Sequence, residues 1–147
     1  MGFVELDHVG IVAHTWDEAA EILLDKLGLE LDEKRSPLPD GVYFAPEMTN
    51  NYFVKVGMGN TRVEVLIPQG NTSGTSRFIA RNGPGIHHLG YACEDVPKEV
   101  QRLIDKGMRM IDLGQGTDVS KMRAAFFHPK SANGILTELV PVYRPRD

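Results

Sequence analysis

Cysteine is nearly absent: the chain of 147 residues has one, Cys93. A single thiol excludes an intrachain disulfide and suits a reducing compartment. Its expected state is that of a small buried apolar residue. A chain of this length buries enough surface to stand without a covalent cross-link. Basic charge is also in short supply. The net charge is −4 and the two signs are interspersed, so no basic patch invites a nucleic acid. No apolar run approaches the roughly 20 residues that a membrane-spanning helix requires. The start, Met1-Gly2-Phe3-Val4-Glu5-Leu6-Asp7, lacks the basic segment and apolar stretch of a secretory signal. The expectation is a cytoplasmic protein with neither membrane nor nucleic acid as partner.

What is present is a repeat. Leu6-Asp7-His8-Val9-Gly10-Ile11-Val12 matches Ile86-His87-His88-Leu89-Gly90-Tyr91-Ala92, with His and Gly at the same spacing. A second pair follows: Val63-Glu64-Val65-Leu66-Ile67-Pro68 and Thr137-Glu138-Leu139-Val140-Pro141. Each reads as a strand holding one carboxylate and closed by proline. His8 and Glu64 are 56 residues apart, His88 and Glu138 are 50 apart, so the insertions fall in the middle of each half. One domain is expected, with halves at 1–69 and 84–143 and a linker at 70–83.

Local signals divide the chain in the same way. Residues 3–12 read as a strand. Thr15 and Glu18 form a capping box before a helix to about Leu27, with Ala19, Ala20, Ile22, Leu23 and Leu27 as its apolar face and Gly28 after it. In the second half Asp95 is the expected cap and Pro97 lies in the first turn. Val96, Val100, Leu103 and Ile104 form the buried stripe, and Gly107 ends the helix. Three strands are expected after each helix: about 29–34, 51–58 and 61–68, then about 108–113, 121–128 and 134–141. Gly59-Asn60 is the expected turn of the first hairpin. The linker carries a short helix around 75–81. Loops 35–50 and 114–120 are left without regular structure, as substrate-contacting loops often are. The fold class is α+β, built from tandem βαβββ units.

His8, His88, Glu64 and Glu138 are the candidates for chemistry. An unpaired carboxylate among Val, Leu and Ile is costly if it points inward, and so calls for a partner or a cation. Strand alternation also allows a solvated face. The recurrence of one histidine and one glutamate in both halves favours a shared site. Two imidazole nitrogens and two carboxylate oxygens suit one divalent ion, Co, Ni, Zn, Mn or Fe(II), without selecting among them.

With these residues the chain resembles the vicinal oxygen chelate superfamily, also called the glyoxalase/dioxygenase superfamily. Within it, the stretches Gly85-Ile86-His87-His88 and His128-Pro129-Lys130-Ser131 resemble the methylmalonyl-CoA epimerase family. The resemblance spans nearly the whole chain and implies metal ligands at His8, Glu64, His88 and Glu138. His88, aligned with His8, is the ligand of its pair, while His87 points to the opposite strand face. The implied activity is inversion of the carbon between a thioester carbonyl and a carboxylate. The divalent metal acts as Lewis acid, and Glu138 and Glu47 are candidate acid–base groups. The implied partner is an acyl-CoA, whose phosphates Lys121, Arg123 or Lys130 would meet, and the implied assembly is a homodimer. Two stretches depart from the family pattern, Pro46-Glu47-Met48-Thr49-Asn50-Asn51 and 114–122, both where a substrate would touch the cleft.

Other readings share the fold. A lactoylglutathione lyase applies the same chemistry to a hemithioacetal. An extradiol dioxygenase uses two histidines and one carboxylate, so four candidate ligands and a short chain count against it. A non-catalytic binding protein would often lack the ligands present here.

Overall fold

A computed structural model describes residues 2–114 and 116–143; Gln115, within the expected 114–120 loop, lies outside them. By contacts the chain forms two compact units. One takes in the chain up to His8 together with the chain from His88 onward, and the other is Val9–His87. Each is described on its own.

In Val9–His87 the strands are the end of β1 (Phe3–Val12), β2 (Glu30–Leu31), β3 (Val42–Phe44), β4 (Thr49–Lys55) and β5 (Arg62–Pro68). β4 and β5 pair antiparallel from Thr49↔Pro68 to Lys55↔Arg62. β2 and β3 both pair with β4, β2 at Val54 and Lys55 and β3 at Thr49 to Asn51. Alternation along the pair sends Tyr52, Val54, Val65 and Ile67 to one face, where they pack with Ala13, Ala19 and Leu23. Phe53, Glu64 and Leu66 point the other way.

The first helix starts where the sequence places it: the Glu18 N–H donates to Thr15 Oγ1 at 3.1 Å. It runs as α1 (Trp16–Ala20) and then widens into a π-helical segment, Glu21–Lys26. Leu27 N–H reaches back five residues to the Ile22 carbonyl at 2.9 Å. The wider turn breaks the 3.6-residue period. Ala19 and Leu23 are buried as expected, but Ile22 and Leu27 are 46% and 62% exposed. The hairpin after β4 also differs from expectation. Its left-handed residue is Gly57, at φ 59°, and not the Gly59-Asn60 pair. The linker helix is α2 (Gly74–Asn82), closed at its start by a capping box between Ser73 and Ser76.

In the other unit the strand order is β1-β6-β9-β8-β7, with β6 at Gly85–Cys93, β7 at Met110–Ile111, β8 at Ala125–Phe127 and β9 at Thr137–Pro141. β6 and β9 are parallel, while β8 is antiparallel to β9. α3 (Val96–Asp105) is capped by Asp95, which accepts from Lys98 N–H at 3.1 Å, and has Pro97 in its first turn. Its Val96, Val100 and Leu103 are buried against Cys93, Ala125, Phe127 and Leu139. Cys93 behaves as a core residue: it is fully buried, and burial, then Glu99 and Asp95, push its thiol up to about 11. Among the described residues no helix is long and apolar enough to cross a membrane.

Phe127 is fully buried under α3, whereas Met58 stands in solvent at the tip of the β4–β5 hairpin. Phe127→Ala is therefore expected to lower the unfolding free energy by about 3–5 kcal/mol. Met58→Ala is expected to change it by less than about 0.5 kcal/mol. Urea titrations followed by circular dichroism measure both.

Candidate metal centre

The registers that build the apolar core also build a polar cluster on the reverse side. Tyr91, Leu139 and Ala125 lie in one row across β6, β9 and β8; the adjacent row is Gly90, Glu138 and Phe126. A period of two places these rows on opposite faces. His88, two residues before Gly90, shares the face of Glu138. His8 reaches it from the neighbouring strand β1.

Three side chains meet there. His8 Nε2 is 2.8 Å from Glu138 Oε1 and 2.9 Å from His88 Nε2. His88 Nε2 lies 3.3 Å from the same Glu138 oxygen. His8 and His88 are each 2% exposed and Glu138 is 9% exposed. The His88 ring stands edge-on to Phe126, with centroids 5.6 Å apart, so an aromatic wall closes one side. Glu64 is buried in β5 opposite Phe53. Of the four residues expected from the repeat, His8, His88 and Glu138 meet within one unit, and Glu64 stands on β5 of the other.

The sequence reading missed Asp7. Its Oδ2 is 2.7 Å from His8 Nδ1, and it is 5% exposed. A carboxylate accepts only, so this contact puts the Nδ1 proton on His8 and turns its Nε2 lone pair toward the cluster. Nε2 of His8, Nε2 of His88 and Oε1 of Glu138 then form a knot of acceptors. Two imidazole nitrogens 2.9 Å apart need a proton or a cation between them. The Glu138 carboxyl shows the same demand. Burial alone would raise it; where protons occupy the two Nε2 positions, hydrogen bonds from the histidines, then their positive charge, bring it down to about 2.

The spacings also suit a metal. Ligand atoms about 2.1 Å from one ion stand about 3.0 Å apart at right angles and about 3.4 Å apart on a tetrahedron. The observed 2.8, 2.9 and 3.3 Å fall in or close to that range.

The remaining candidates have other neighbours. His87 is on the opposite strand face from His88, with its ring edge-on to Phe78 at 4.8 Å. Glu47 Oε2 accepts from the Thr75 N–H at 3.1 Å and from the Thr75 hydroxyl at 2.9 Å, so it anchors the start of α2 and is half-buried. Nothing in local sequence joins residues 47 and 75; the link comes from the fold. Lys121, Arg123 and Lys130 are exposed, and Lys121 makes a loose contact of 3.8 Å with Asp118.

Residues 7–126 match the family model of the glyoxalase/bleomycin resistance protein/dioxygenase superfamily. A mitochondrial methylmalonyl-CoA epimerase of Dictyostelium discoideum is 30% identical, covering 95% of this chain and 79% of its own. An ethylmalonyl-CoA/methylmalonyl-CoA epimerase of Cereibacter sphaeroides is 30% identical, over 93% of this chain and 97% of its own. A solved methylmalonyl-CoA epimerase variant of Streptomyces coelicolor, in complex with 2-nitronate-propionyl-CoA, superposes with a TM-score of 0.80 at 25% identity, covering 97% of this chain and 100% of that one. The chain belongs to the glyoxalase/bleomycin resistance protein/dioxygenase superfamily and, within it, resembles the methylmalonyl-CoA epimerases.

Proposed function

We propose that this protein is a metal-dependent epimerase of an acyl-CoA thioester of the methylmalonyl-CoA kind. The observation that carries the reading is the buried convergence of His8, His88 and Glu138, with Asp7 fixing the tautomer of His8. The relatives named as epimerases of such thioesters support the substrate class. His8, Glu64, His88 and Glu138 are the proposed ligands. When bound, a divalent cation supplies Lewis-acid stabilisation for the negative charge that develops on substrate oxygens once the α-proton leaves.

The residues do the rest. His8, Glu64, His88 and Glu138 would hold the ion, which would polarise the thioester and carboxylate oxygens of the substrate. Both imidazole contacts of Glu138 fall on Oε1, which leaves Oε2 to take or return the α-proton. Phe126 and the buried strand face keep bulk water from the reacting carbon. Glu47, which the family resemblance put forward as a second acid–base group, is held by Thr75. Inversion needs two groups on opposite faces of the planar enolate, so Glu138 is proposed to take the α-proton from one face and Glu47 to supply a proton to the other, the reverse reaction exchanging their roles. Exposed Lys121, Arg123 and Lys130 are the proposed contacts for CoA phosphates. The expected setting remains a cytoplasmic homodimer.

The direct test is proton NMR of methylmalonyl-CoA in D2O with metal-loaded protein. The α-proton signal should disappear, and Glu138→Gln should slow that loss by about 10²-fold or more. A signal that persists with fully loaded protein rejects the substrate. Metal affinity should also fall as pH drops through the histidine range, about 6.5 in the unperturbed side chain, because an imidazole must shed its proton to bind. Calorimetric titration with Co2+ from pH 8 to pH 5 measures this. A flat profile would exclude histidine ligation.

A further inference from the structure

Gly90 sits in the interior of β6, and nothing about its backbone asks for glycine. Its φ is not among the positive values recorded for the described glycines. Glycine in a strand interior weakens the strand, and its usual reason is the close approach of another group. That group is His8. A Cβ built on Gly90 would fall inside contact distance of His8 Cε1, Nε2 and Nδ1, the ring's own atoms. The imidazole lies flat against the space a side chain would fill. His8 is only 2% exposed, and Asp7 holds its Nδ1 at 2.7 Å, so the ring has little room to swing away. Gly90 is also the register partner of Glu138, the residue whose oxygen His8 Nε2 meets.

The geometry points to Gly90 and Asp7 as positioning residues for the proposed metal site, Gly90 by leaving the seat that His8 occupies and Asp7 by fixing which nitrogen faces the ion. This rests on the metal reading above and adds two residues that contribute no ligand atom. A methyl group at position 90 moves the ring off the common centre while leaving the strand's hydrogen bonds in place. A neutral amide at position 7 leaves the shape intact but no longer demands the Nδ1 proton, so the lone pair at Nε2 is no longer guaranteed.

Two experiments test it. Calorimetric titration of chelator-stripped protein with Co2+ should show Gly90→Ala binding at least 100-fold more weakly than the unmodified protein. Asp7→Asn should bind about 10–100-fold more weakly. Both should keep the unmodified far-UV circular dichroism. Gly90→Ala or Asp7→Asn binding Co2+ within threefold of the unmodified protein would overturn the role of that residue. Thermal unfolding without metal supplies the second measure. Gly90→Ala should lower Tm when His8 is present and leave Tm unchanged in the His8→Ala background, where the colliding ring is gone. An equal loss of Tm in both backgrounds overturns the seat. If the unmodified protein takes up no Co2+, the metal reading fails, and the Tm comparison still judges whether Gly90 seats His8.

Discussion

Everything at the centre of this molecule depends on acceptors held too close together to be left without positive charge. Nε2 of His8, Nε2 of His88 and Oε1 of Glu138 lie within 3.3 Å of one another, away from bulk water. Lone pairs at such distances repel unless a proton or a cation lies among them. The fold enforces the arrangement, because each side chain stands on a strand whose other face is locked into an apolar core. Leu139, the neighbour of Glu138, is fully buried under α3. The backbone at Glu138 therefore cannot turn its side chain to the other strand face without displacing Leu139. The energy that maintains the cluster comes from apolar burial on the far side of the same strands.

Strand alternation links the two functions of these segments. Along β9, Thr137 and Leu139 face one way and Glu138 the other; along β8, Ala125 and Phe127 face the core while Phe126 walls the cluster. A slip of one residue in register would exchange the two sets and destroy both core and site together. The parallel pairing of β6 with β9 puts Gly90 beside Glu138, and that register decides where the His8 ring has room.

Much of this was legible in the chain because it was written twice. The repeated His-x-Gly and the Glu before the last strand's closing proline marked three residues that converge, His8, His88 and Glu138, and the bounds of β1 fell where hydrophobic periodicity placed them. Asp95, Pro97 and the stripe on α3 also read correctly, since caps and 3.6-residue spacing are local signals. What escaped was non-local or broke the period. The π-helical turn at Glu21–Lys26 shifted Ile22 and Leu27 into solvent. Short β3 forms only because β4 offers it an edge. Glu47 looked like a free loop carboxylate until the fold set Thr75 against it. Asp7 has no counterpart in the second half, where His87 stands, so the repeat gave no hint of its contact with His8.

The most direct measurement is a crystal of Mn2+-loaded protein examined by anomalous scattering. The account predicts one peak at about 2.0–2.2 Å from a nitrogen of His8 and of His88 and from an oxygen of Glu64 and of Glu138. A structure with ordered side chains and no peak at that centre, or with the ion bound at another group of residues, would contradict it.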